Sequence, residues 1–245
     1  MLQQRICIGG EWSLLYLPER PNGFAVFLLS DHSAPVEKET SIWEQHFERK
    51  IFLNDLVEKG YTVYTSNLFG KHWGCGKACS LAEQLYHHIQ KQQILNPRIH
   101  VFAEGMGALI ALHLIATKSE IIRSTFLLNP CIYLHSYYEQ EKRNRLYYKR
   151  FLKEWLQARN ETDETLVENA CKTADIQLPE VSSPILIMHG TDERRYPLAN
   201  HSRVLEKQYE KREPQISLRV YGKGKTHSSF SQTVHSYYQE NEKEL

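Results

Sequence analysis

Apolar residues along the chain fall into short runs separated by stretches of helical spacing, with a turn signal at most boundaries. Arg5–Ile8 and Ser13–Leu17, joined through Gly9-Gly10, predict an opening hairpin. Phe24–Ser30 is almost continuously apolar, as expected of a strand buried on both faces. Trp43, Phe47 and Ile51 then share a helical stripe that Gly60 closes, and Tyr61–Ser66 is the next strand. Ser80 and Glu83 form a capping-box pattern opening a helix with Leu81, Leu85 and Ile89 on one face. Arg98–Ala103 is a strand running into a glycine turn and the apolar helix Ala108–Ala116. Thr125–Leu128, Ile185–His189 and Ser217–Tyr221 complete eight strands, with a helix over Pro197–Lys211 before the last. An antiparallel pair followed by alternating strands and helices predicts an α/β fold with a mainly parallel eight-stranded sheet covered on both faces.

The alternation breaks between Pro130 and Pro184, where two helical patterns and no strand are found. One carries Tyr147, Phe151 and Trp155, the other Leu166, Val167, Ala170 and Cys171. The expected organisation is one domain over 1–245 with a helical lid inserted at 131–183. Phe151 and Trp155 are the lid residues expected to face a ligand, against the ordinary alternative that amphipathic helices simply pack.

With 245 residues, 41% of them hydrophobic, the chain suits a single large core. Thirty basic against 29 acidic residues leave no basic excess for nucleic acid. No apolar run approaches the length of a membrane helix, and no leader pattern precedes Trp12, so a soluble, cytoplasmic protein is expected. The five cysteines are scattered, which fits reduced thiols. Cys75 and Cys79 lack the second pair that a zinc site needs, and no cofactor or metal is expected.

Four local motifs carry chemistry. Ala103-Glu104-Gly105-Met106-Gly107 lies between a strand and a helix, where G-x-S-x-G would lift a nucleophile above a sheet. Pro184–Pro197 ends an apolar strand at a loop holding Asp192 and Glu193. Tyr221–Phe230 places His227 after the last strand. Ser30-Asp31-His32-Ser33 follows the first long apolar run.

Strand order and motifs together resemble the α/β-hydrolase superfamily, nearest its monoglyceride-lipase and serine-aminopeptidase-like branch. The resemblance implies that Gly105 stands at the nucleophile position, with Glu193 (or Asp192) as the triad acid and His227 as the histidine. It also implies an oxyanion hole near His32 and the Met106 amide. The loop departs from the family's His-Gly, and Asp31 would disfavour a developing oxyanion if it pointed inward. Glu104 has no role in this picture.

Without the serine, ordinary acyl-serine chemistry is not expected. Three readings follow. The chain is non-catalytic and binds a small apolar or acyl ligand or a partner. Or it is a hydrolase using a His227-activated water or another nucleophile. Or it is a scaffold with its pocket filled. The first is preferred. A Gly105→Ser change is expected to create esterase activity if the remaining site is intact. Which protein partner would bind is left open.

Overall fold

The computed structural model describes residues 2–31, 35–175, 183–209 and 215–242. Strands β1 (Leu2–Ile8) and β2 (Glu11–Leu17) form the opening hairpin across Gly9 and Gly10, both with positive φ. β3 (Ala25–Leu29), β4 (Thr62–Ser66), β5 (Ile99–Glu104), β6 (Ile122–Leu128), β7 (Ile185–Gly190) and β8 (Ile216–Tyr221) follow. They join one sheet in the order β1-β2-β4-β3-β5-β6-β7-β8. β2 runs antiparallel to β4, and every pairing from β4 to β8 is parallel. The expected α/β architecture is present.

The parallel strands are buried on both sides, and their alternating side chains feed two cores. Phe27, Leu29, Val101, Ala103 and Leu127 pack toward α3 (Gly76–Gln92) and α4 (Gly107–Thr117). Val26, Leu28, Phe102, Phe126 and Leu128 pack toward α1 (Ile42–Gln45), α2 (Phe47–Glu58) and α9 (Ser231–Glu240). Glu104, two residues beyond Phe102, therefore points to the α2 side of the sheet.

Two helix readings need correcting. The stripe through Trp43, Phe47 and Ile51 is broken at His46, whose extended backbone separates α1 from α2. Phe47 is 73% exposed, and α2 buries Phe52, Leu53, Leu56 and Val57 instead. Ser80 does not cap a helix start. α3 begins at Gly76, because Ala78 and Cys79 are already buried against the core, and Ser80 lies on its exposed side.

Between β6 and β7 the chain passes through α5 (Leu134–Lys142), α6 (Arg145–Arg159) and α7 (Val167–Ala174), one helix more than the two patterns predict. Asn144 caps α6 by accepting from the Leu146 and Tyr147 amides, and Asn160 ends it in a left-handed turn. Phe151, Trp155, Tyr137, Val167 and Cys171 form a third core with Trp73, Met106 and Tyr196. α8 (Ser202–Tyr209) lies between β7 and β8. No helix among the described residues is long and apolar enough to cross a membrane.

Candidate functional site

The turn from β5 into α4 is built around two glycines with different duties. Gly105 has φ +47°, in the left-handed region that glycine enters freely. Its N–H donates to the Leu128 carbonyl (3.1 Å) and its carbonyl accepts from the Cys131 amide (2.9 Å), so β6 fixes the turn. Gly107 packs α4 onto β3: a methyl group there would lie 2.6 Å from the Leu29 carbonyl carbon. Glycine at this position is thus required by the close approach of strand and helix.

Asp31, just past the end of β3, turns its side chain over Gly105. A Cβ on residue 105 would fall 2.6 Å from both Asp31 Cβ and Oδ1, closer than real contacts allow. The carboxylate is held by three donors. Oδ1 accepts from the Met106 amide (2.8 Å) and the Tyr196 hydroxyl (2.8 Å), and Oδ2 accepts from the Arg195 guanidinium (2.7 Å). Charge-assisted bonds of this kind are the stronger class.

A second carboxylate lies beneath. Buried Glu104 takes both Arg49 guanidinium nitrogens, one on each oxygen, the Oε2 bond being 3.0 Å. His227 Nε2 donates to Oε2 (2.7 Å), and the Asp31 amide reaches Oε1 (3.4 Å). Burial alone would raise this acid, but the Arg49 charge and the His227 bond outweigh it and hold the carboxyl well below the usual range. Arg49 also lies over the Trp43 ring (5.1 Å), and Trp43 and Phe52 pack edge-on to His227.

The loop after β7 supplies the clamp on Asp31. Glu193 does not reach outward: its Oε1 accepts from the Arg195 amide (2.6 Å) and the Tyr196 amide (3.4 Å), closing its own loop. His189, buried in β7, donates from Nε2 to the Tyr196 carbonyl (2.9 Å) while Nδ1 meets Ser202 Oγ (2.7 Å). Burial lowers its pKa to about 4, so it is neutral at physiological pH. Tyr196 is also packed against Tyr137, which stacks on Trp73 (5.0 Å). What open space remains at this point is a cleft of about 160 Å³ lined by Asp31, Glu104, Glu193, Arg195, Tyr196 and His227, among others.

Solved structures with this architecture include Est1E from Butyrivibrio proteoclasticus, at 16% identity and TM-score 0.66 over 98% of both chains. An S-formylglutathione hydrolase from Agrobacterium tumefaciens matches at 15% and 0.65, over 98% of this chain and 94% of the other. An esterase from Pyrococcus furiosus matches at 14% and 0.63, over 98% and 88%. The chain has the α/β-hydrolase fold. No family model and no curated protein sequence matches it.

Within the hydrolase fold, the sequence candidates are distributed as follows. Gly105 and the Met106 amide stand at the β5–α4 turn, and the amide is already engaged by Asp31. His227 lines the same cleft but is paired with Glu104, not with Glu193, whose oxygen is spent on its own loop. Asp192 is exposed. Phe151 and Trp155 are 1% and 0% exposed inside the third core. His32 lies outside the described residues. Asp31 is visible in the sequence as a candidate, whereas nothing in the motifs gives Glu104, Arg49, Arg195 or Tyr196 a role. The available signal is charge: two carboxylates at a buried turn require cations, and Arg194-Arg195 sits in the loop after β7.

Among the described residues, His135, Glu139 and Glu168 are close enough to share an ion. Lys142 already pairs with both glutamates and Lys172 with Glu168, so the group is balanced without one.

Proposed function

We propose that this is a non-catalytic protein on the α/β-hydrolase fold, which fills its own acyl site and acts by binding a partner at its surface. In this reading Gly105 holds the nucleophile turn, Glu193 the acid's loop and His227 the histidine's place. The Pro184–Pro197 motif carries the likeness to the monoglyceride-lipase branch.

One observation carries the proposal: the Asp31 carboxylate occupies the space above Gly105 and takes the Met106 amide. Acyl transfer needs a nucleophile and free donors for the oxyanion. Here the turn has neither, and a full negative charge stands where charge would have to develop. The packed lid counts against an acyl ligand, and a filled pocket is what the scaffold reading expects. The lid's aromatic side chains are spent on the third core, and a cleft of about 160 Å³ is smaller than the roughly 300 Å³ at which ligand pockets begin. In the alternative hydrolase reading the base would be His227 Nδ1, since Nε2 donates to Glu104, and that reading has less support because the Asp31 carboxylate fills the space over Gly105.

The test is chemical. Purified protein is expected to resist a fluorophosphonate probe and to leave short-chain p-nitrophenyl esters intact. Stoichiometric labelling of one serine, or ester turnover lost in a His227→Ala variant, would overturn the reading.

A further inference from the structure

Three donors from two separate parts of the fold converge on Asp31: the Met106 amide at the start of α4, and the Arg195 guanidinium and Tyr196 hydroxyl of the β7–α8 loop. The Met106 amide and the Tyr196 hydroxyl are positioned by contacts that do not involve Asp31. The Met106 amide is fixed by the turn that β6 holds, and its Sδ accepts from the Trp73 amide (3.4 Å). Tyr196 is set by His189 on its carbonyl and by Tyr137 against its ring. Arg195 lies over the Trp73 ring (5.9 Å) and the Tyr196 ring (5.1 Å). The donors therefore form a preorganised cradle, and its pattern fits a carboxylate: two hydrogens for one oxygen and a guanidinium for the other.

We propose that this cradle is a receptor for a small monocarboxylate, which the chain fills in cis with Asp31 and which accepts a free carboxylate once that side chain is cut back. The cradle stands whether or not the protein has an activity, and truncations of Asp31 set the size of the carboxylate it admits. Asp31→Ala removes the carboxylate group alone, leaving a space that formate matches. Asp31→Gly removes the methylene as well, leaving a space that acetate matches. Gly105 has no side chain to fill either space.

Both variants are expected to melt below the wild type, because truncation strands two buried donors, the Met106 amide and the Tyr196 hydroxyl, and unpairs the half-buried Arg195. Formate should raise the melting temperature of Asp31→Ala by several degrees more than chloride at equal ionic strength, with acetate weaker. The order should reverse for Asp31→Gly. The wild type should respond to both carboxylates no more than to chloride. Adding Arg195→Met to Asp31→Ala should abolish the formate response. Equal shifts with formate and chloride, no difference in size preference between the two variants, or a response that survives loss of Arg195 would each overturn the receptor. Should Asp31→Ala be recovered only as unfolded protein, refolding from urea replaces melting. Higher recovery in formate than in chloride supports the receptor, and equal recovery or none overturns it.

Discussion

Gly105 and Asp31 share one volume, so neither can be judged without the other. The positive φ at Gly105 already strains any side chain, and a Cβ there overlaps Asp31. A Gly105→Ser change is therefore expected to lower stability by about 1–3 kcal/mol and to create no esterase, contrary to what the motifs alone imply. The paired change Asp31→Gly with Gly105→Ser should be more stable than the sum of its parts, since each removes the other's obstacle. Urea unfolding of the two single variants and the double variant measures this coupling, and simple additivity would mean that the overlap is relieved elsewhere. The motifs located both residues, but Asp31 bonds to an amide 75 positions away. Sequence spacing carries no information about that distance. Glu104 is illegible for a similar reason. Its role comes from Arg49 on α2 and His227 beyond β8, which only the folded sheet brings together.

Elements with one strongly apolar face were legible, and those with mixed faces were not. The inner strands β3 to β7 follow from their runs because they are buried on both sides, whereas the part-exposed edge strands β1 and β8 are marked mainly by the turns beside them. α4, nearly all apolar, is equally plain. α9 leaves no clear pattern because only Val234 and Tyr238 of its ten residues are buried, too few to mark a period. The same sparseness made Phe47 look like part of a stripe when it faces water. The helices between β6 and β7 are a different case. Their aromatic spacing was read correctly, but spacing cannot say whether a stripe faces a ligand or a neighbouring helix. Phe151, Trp155, Tyr137 and Trp73 face one another. Trp155→Ala should accordingly cost about 3–5 kcal/mol and lower the near-ultraviolet dichroism of the aromatic cluster. A loss under about 1 kcal/mol would indicate that α6 is not part of the cooperative core.

For the whole molecule, the buried histidines set the response to acid. His72, His189 and His201 have pKa values pushed down to about 3, 4 and 3, chiefly by burial. In the fold each uses Nδ1 as an acceptor: from the Gly74 amide, from the Ser202 hydroxyl, and from the Ile132 and Tyr133 amides respectively. Their folded values lie below the unfolded 6.5, so their contribution is complete above that pH and is lost as the pH falls toward 4 and 3. Each can cost up to about 1.4 kcal/mol per pH unit in that window. Glu104, also lowered, adds a loss in the same direction further down. The urea midpoint should be level above about pH 7 and fall steadily from about pH 6, well before ordinary carboxylates titrate. A midpoint unchanged down to about pH 4.5 would contradict the neutral, buried assignment of these rings.

The overlap of Asp31 with residue 105 has a last consequence, for the routes by which this chain could acquire a serine nucleophile. Installing the serine first meets a carboxylate held by three donors, and removing the carboxylate first leaves those donors without an acceptor. Either single step passes through a less stable protein, so the two positions act as a ratchet against one-step change.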